Sequence, residues 1–191
     1  RTTIASNQTK QVSFLDVQAV PAQATYEFTN AWLAGSDDPQ SAASVVKFST
    51  SKQGGLGDAL PAGTVRFYMK DASGAPQFIG ENSIGHTPMG SSLALRTGDA
   101  FDVKVKATVE QRQKLGDSKW RTTMRYELTN AKPEAVTVDL VQSGLDWGWT
   151  DTRISAESMK SERRDADSAV WHVPVGANGS ATVTATFETR Y

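Results

Sequence analysis

The 191-residue chain reads as all-β, most simply as two immunoglobulin-like β-sandwiches in tandem, with one large β-sandwich as the alternative. Three observations predict this. Apolar and polar residues alternate with a period of two along several runs. Clusters of Gly, Pro, Asn and Ser separate those runs at short intervals. No window carries a sustained apolar stripe at helical spacing. Many short strands divided by turn signals favour a sandwich or barrel over alternating β/α units.

Taken along the chain, residues 60–90 (LPAGTVRFYMKDASGAPQFIGENSIGHTPMG) read as strand, turn, strand and loop. The Pro61-Ala62-Gly63 corner leads into a β-branched and aromatic run at 64–69 that suits a pleated, half-buried surface. Asp71-Ala72-Ser73-Gly74 supplies the turn, and residues 77–79 begin the return. Next, Phe101, Val103, Val105, Ala107 and Val109 occupy one face of a strand, with Asp102, Lys104, Lys106 and Thr108 on the other. The same alternation recurs at Met124, Tyr126 and Leu128, at Val136, Val138 and Leu140, and at Val183, Ala185 and Phe187. The most helix-like window, ISAESMKSERR at 154–164, reads as a loop or polar edge strand.

An internal echo bears on domain count. Tyr26-Glu27-Phe28-Thr29-Asn30-Ala31 returns as Tyr126-Glu127-Leu128-Thr129-Asn130-Ala131, and each copy is followed by a β-branched run. Later, the corners Leu60-Pro61-Ala62-Gly63 and Val173-Pro174-Val175-Gly176 match in the same order. Tandem modules spanning 1–97 and 98–191, with a boundary near Gly98, would produce this pattern.

Five segments together resemble one family: NQTKQVSFLDV (7–17), GLGDALPAGTVRFYMKDASGAPQFIGENSIGHTPMG (55–90), LRTGDAFDV (95–103), YELTNAKPEAVTVDLV (126–141) and DADSAVWHVPVGANGSATVTATFETRY (165–191). They are similar to the C-terminal β-rich domain of unknown function in bacterial mucoidy inhibitor A-like proteins. The resemblance implies a C-terminal portion of a longer parent chain, located in the bacterial periplasm or cell envelope. It brings no catalytic motif. Arg1 in place of Met agrees with a processed chain or fragment.

Composition narrows the chemistry. A formal net charge of −1 provides no global field for nucleic acid. The absence of cysteine excludes disulfides, thiolate nucleophiles and the usual structural zinc sites. No run approaches the roughly 20 apolar residues that a transmembrane helix requires. The two histidines, His86 and His172, are far apart: His86 lies in a Gly- and Pro-rich loop, and His172 alternates with apolar residues so as to face solvent. Neither has a nucleophile or orienting acid at a telling spacing. Asp37-Asp38 and Asp165/Asp167 read as turn carboxylates, lacking the denser pattern of a calcium loop.

The expected role is therefore a non-catalytic structural or interaction module without cofactor or metal. Its partner would be another protein or the missing N-terminal region of the parent chain. Binding residues are expected at His86, in the loop peculiar to the family, and at Trp147 and Trp149. Those two tryptophans carry the first alternative, a carbohydrate-binding module that stacks sugars on exposed indoles. The second alternative is a hydrolase centred on His86.

Overall fold

Alternation becomes strand wherever it occurs in the computed structural model, which describes residues 15–147 and 150–191. Trp149, Gly148 and most of the segment 7–17 lie outside the described residues. Within those residues the strands are, in order, β1 (Ala22–Ala31), β2 (Gln40–Ser49), β3 (Gly63–Lys70), β4 (Pro76–Ile84), β5 (Ser92–Gly116), β6 (Lys119–Asn130), β7 (Val136–Ser143), β8 (Asp146–Trp147), β9 (Thr150–Glu157), β10 (Glu162–Arg163), β11 (Ala169–Val175) and β12 (Gly179–Arg190). No helix occurs among the described residues, so none there is long and apolar enough to cross a membrane. The window at 154–164 is the end of β9, a bend and β10, in keeping with the polar edge its composition suggests.

Ten of these strands form one sheet in the order β10-β11-β7-β1-β2-β5-β6-β12-β9-β8. Among the described residues, only β1 and β7 pair in parallel. The sheet folds over on itself at β5, a strand of 25 residues. The first half of β5 pairs with β2 and the second half with β6. The layers on either side of this bend form a β-sandwich around one core. Tyr126 from β6 meets Trp171 from β11 across it, with ring centroids 5.9 Å apart. Met124, Leu128, Val183, Ala185, Phe187, Val138 and Leu140 are buried with them, as their alternation predicts. The Trp171 indole N–H is satisfied by the Glu157 carboxylate and the Met159 carbonyl, each at 3.0 Å.

Two expectations meet a different outcome. The boundary expected near Gly98 falls inside β5, and Phe28, Leu33 and Ala42 from one side of it share the core with Val103, Leu128 and Phe187 from the other. Phe101, expected on the buried face with Val103, is 88% exposed. The cause is local. Between Ser41 and Ala43 of β2 the partner on β5 jumps from Lys104 to Asp99, so Phe101 sits in the unpaired bend where alternation is interrupted.

Strands β3 and β4 form a separate two-stranded arm. The turn at its tip is tied by the Asp71 carboxylate, which accepts N–H bonds from Ser73 and Ala75 and a side-chain bond from Gln77. Side-chain bonds from Ser73 and then Gln77 lead in holding this carboxyl down at about 2. The arm rests on β5 at Gly80, where a Cβ would lie 1.9 Å from the Thr97 carbonyl oxygen. Only glycine permits that approach. Gly80→Val is expected to lift the arm from β5, with residues 63–84 losing hydrogen-exchange protection while the sandwich keeps its melting midpoint. Trp171→Ala should instead destabilise the whole body by about 3–5 kcal/mol in denaturant unfolding.

Candidate functional site

The parallel pairing of β1 with β7 delivers two chain exits to one edge. Asn30 is in register with Gln142 and Ala31 with Ser143, so Trp32 and Gly144 leave the sheet side by side. The Trp32 N–H still reaches the Ser143 carbonyl at 3.1 Å. Trp32 has a φ of 50°, a left-handed conformation that costs a bulky residue on the order of 1–3 kcal/mol. Gly144 has a φ of 80°, and a Cβ on it would lie 3.2 Å from the Trp32 backbone.

A buried amide network holds this geometry. Gln142 donates from Nε2 to the carbonyls of Trp32 and Ser143, both at 2.8 Å. Its Oε1 accepts from the Tyr126 hydroxyl at 2.6 Å and from Asn30 Nδ2 at 3.0 Å. Asn30 Nδ2 also reaches the Trp32 carbonyl at 3.2 Å. All four bonding positions of the Gln142 amide are filled. Burial pushes the Tyr126 phenol well above its ordinary range, outweighing the opposing bond from Asn30, so the phenol stays a donor.

The opposite wall is the loop before β11. Asp167 accepts the N–H of Gly144 at 3.1 Å on Oδ2 and that of Asp146 at 3.3 Å on Oδ1. Its own carbonyl accepts from Leu145 at 2.9 Å. Asp165 shapes the turn by accepting from the N–H groups of Asp167 and Ser168. Its carboxyl is held below the usual range chiefly by Ser168. These walls enclose a cleft of about 340 Å³ lined by Trp32, Trp147, Ser143, Gly144, Asp146 and Asp167. Trp147 is 65% exposed, and its ring centroid is 6.5 Å from that of Trp32 at an interplanar angle of 40°.

The other expected residues fall elsewhere. His86 is exposed at the base of the arm, where its Nδ1 accepts the Ala62 N–H at 3.3 Å beside the Leu60–Thr87 bridge. It thus clasps the Pro61-Ala62-Gly63 corner, and among the described residues no carboxylate or hydroxyl bonds its ring. His172 faces outward from β11, as its alternation predicts. Its Nδ1 lies 2.7 Å from Asp139 Oδ1, and Asp139 Oδ2 lies 2.5 Å from Lys47 Nζ. Burial pushes the Asp139 carboxyl up, but the bonds from Lys47 and His172 together outweigh it and hold the group below its ordinary value. No cluster of three metal-ligating side chains occurs among the described residues.

Of the residues here, the sequence singles out Trp147 as a binding candidate and Asp167 as a turn carboxylate, and it passes over Trp32 and Gln142. A glutamine inside the apolar run VTVDLVQS is the available signal, since a strand buried on both sides rarely carries an amide that bonds nothing. No family model matches the chain, and no curated protein or solved structure matches it.

Gln142→Leu is expected to cost about 1–3 kcal/mol by stranding the Tyr126 hydroxyl, and adding Tyr126→Phe should restore part of that loss in a double-mutant cycle. Because the Asp139 carboxyl is depressed in the folded protein, its stabilisation is complete above its unfolded value near ~4 and is lost as pH falls through the folded value. Urea unfolding should therefore find Asp139→Asn about 1–3 kcal/mol less stable than the parent at pH 7, with the gap closing in acid.

Proposed function

We propose that the chain is a non-catalytic interaction module of a bacterial envelope protein, working as one β-sandwich instead of tandem immunoglobulin-like units. The arm would provide its contact with another protein chain. One observation carries this reading: Tyr68, Met69, Phe78 and Ile79 are all exposed on a two-stranded arm whose β3 has a single hydrogen-bonded neighbour among the described residues. An isolated hairpin of this kind is marginal in water, and large exposed apolar side chains clustered together mark contact surfaces. Tyr68 and Phe78 already pack edge to face at 5.7 Å, which gives a partner a shaped aromatic surface.

The outer edge of β3 would accept an extended segment as an added strand. Side-chain pockets around Tyr68 and Phe78 would then supply selectivity. On the β4 side, Asn82 Nδ2 bonds the Arg96 carbonyl and Gly80 lies against Thr97, so the body already occupies that flank. The contacts of the histidines support the non-catalytic reading: His86 is tied to a backbone N–H, and His172 stands between Asp139 and Glu162. The envelope location rests on the family resemblance.

A photo-crosslinking residue at Met69, tested in envelope extract, should give a discrete adduct, while one at Lys114 gives none. Tyr68→Ser with Phe78→Ser should weaken the purified complex roughly 30-fold or more, since a central aromatic anchor contributes about 2 kcal/mol. Equal labelling from both positions, or none from Met69, would remove the arm as the contact.

A further inference from the structure

We infer that the cleft between Trp32 and Trp147 binds a small alkylammonium cation, a site independent of the arm and of any partner docked there. The first support is preorganisation. The left-handed backbone of Trp32 is held by Gln142 and Asn30 before any ligand arrives, and Gly144 keeps the space beside it open. Strain of this kind persists only where the surrounding structure over-determines it, and it gathers at functional sites.

The second support is the pairing of aromatic surface with uncompensated charge. The large aromatics Trp171, Tyr126 and Phe187 are buried in the core, whereas Trp147 stands in solvent at the rim of the cleft. The lining includes two acidic residues, Asp146 and Asp167, and, among the described residues, no basic one. Neither carboxylate is part of an ion pair among the described residues, while Asp151, the β9 partner of Asp146, is already matched by Arg153. A cation gains from an indole face and from nearby negative charge together.

The third support separates a cation from a sugar. A sugar needs directional partners for its hydroxyls. Here both oxygens of Asp167 already accept main-chain N–H groups, and the Ser143 hydroxyl is turned to the Asn30 carbonyl. The two indoles are tilted by 40° and do not form a flat platform. An ammonium group requires no such directionality, and methylation lowers the cost of taking it from water.

Choline chloride is the probe and 3,3-dimethyl-1-butanol its neutral isostere, titrated into the full chain at constant ionic strength and read from the indole N–H resonances. Saturable shifts of Trp32 and Trp147 are expected with choline in the millimolar range, with the isostere at least tenfold weaker. Trp147→Ala and Asp146→Asn should each weaken choline about tenfold, or about 1.4 kcal/mol, while the core tryptophan Trp171 keeps its resonance as a check on folding. The Asp146→Asn variant preserves shape and so isolates the charge. Equal binding of the isostere would overturn the proposal in favour of a merely apolar cleft. Shifts with chito-oligosaccharide but none with choline would replace it with sugar stacking, and no saturation by either probe at about 100 mM would remove the site.

Discussion

One strand carries the architecture. β5 gives one part of its length to β2 and the other to β6, so a single backbone supplies hydrogen bonds to both layers of the sandwich. Such a strand cannot remain straight. Its bend turns a ten-stranded sheet into two facing layers, and the inward side chains of β6, β12, β7 and β11 then meet in one core. A second register shift, between Ser44 and Val45 of β2, leaves Thr97 without a β2 partner, and its carbonyl becomes the seat for Gly80 of the arm. Core closure and arm placement thus follow from two neighbouring breaks in the pairing of β2 with β5.

A second constraint acts at the far side of β1. Antiparallel neighbours send successive chain ends to opposite edges, whereas a parallel pair sends them to the same edge. β1 and β7 are the one parallel pair among the described residues, and Trp32 and Gly144 are the residues that follow. Their backbones approach closely, and the left-handed φ of Gly144 together with that tight approach favours glycine there. The buried Gln142 amide then fixes Trp32. The cleft therefore arises from topology, and its rigidity from a hydrogen-bond network whose members are all paired.

Much of this is legible in the residues, for a physical reason. The alternation through Met124, Tyr126 and Leu128, and through Val183, Ala185 and Phe187, reports directly on which face is buried, because side chains of a strand must alternate. The hairpin at 60–90 is readable from its turn residues, which act locally. Phe101 is not, since its exposure depends on where a distant strand stops pairing. The repeated YE-x-TNA segment suggests duplication, yet its two copies are β1 and β6, which lie in different layers of one sandwich. Each copy carries an asparagine, next to its last residue, that ties down neighbouring chain. Asn30 bonds the Trp32 carbonyl, and Asn130 bonds the carbonyls of Glu134 and Gly176. Shared turn chemistry accounts for that part of the echo. The cleft leaves only the glutamine in β7 as a local signature, because Trp32, Gln142 and Asp167 are distant in sequence and are brought together by the β1–β7 and β7–β11 registers.

The buried polar groups explain why that register is unique. Sliding β7 by one residue against β1 would turn Gln142 away from Tyr126 and Asn30, and would bring Asp139 into the core without Lys47 or His172. Apolar residues alone would resist the slip less sharply, because Val138, Leu140 and Val141 are similar in character and β7 is buried on both faces along much of its length. The cost of an unpaired amide, hydroxyl or carboxylate in the interior is what separates the two registers. Gln142 on the inner side and Asp139 on the outer side therefore act as opposite halves of one device. They specify the alignment from which Trp32 and Gly144 emerge together, and a slip that spared the apolar core would still dismantle the cleft.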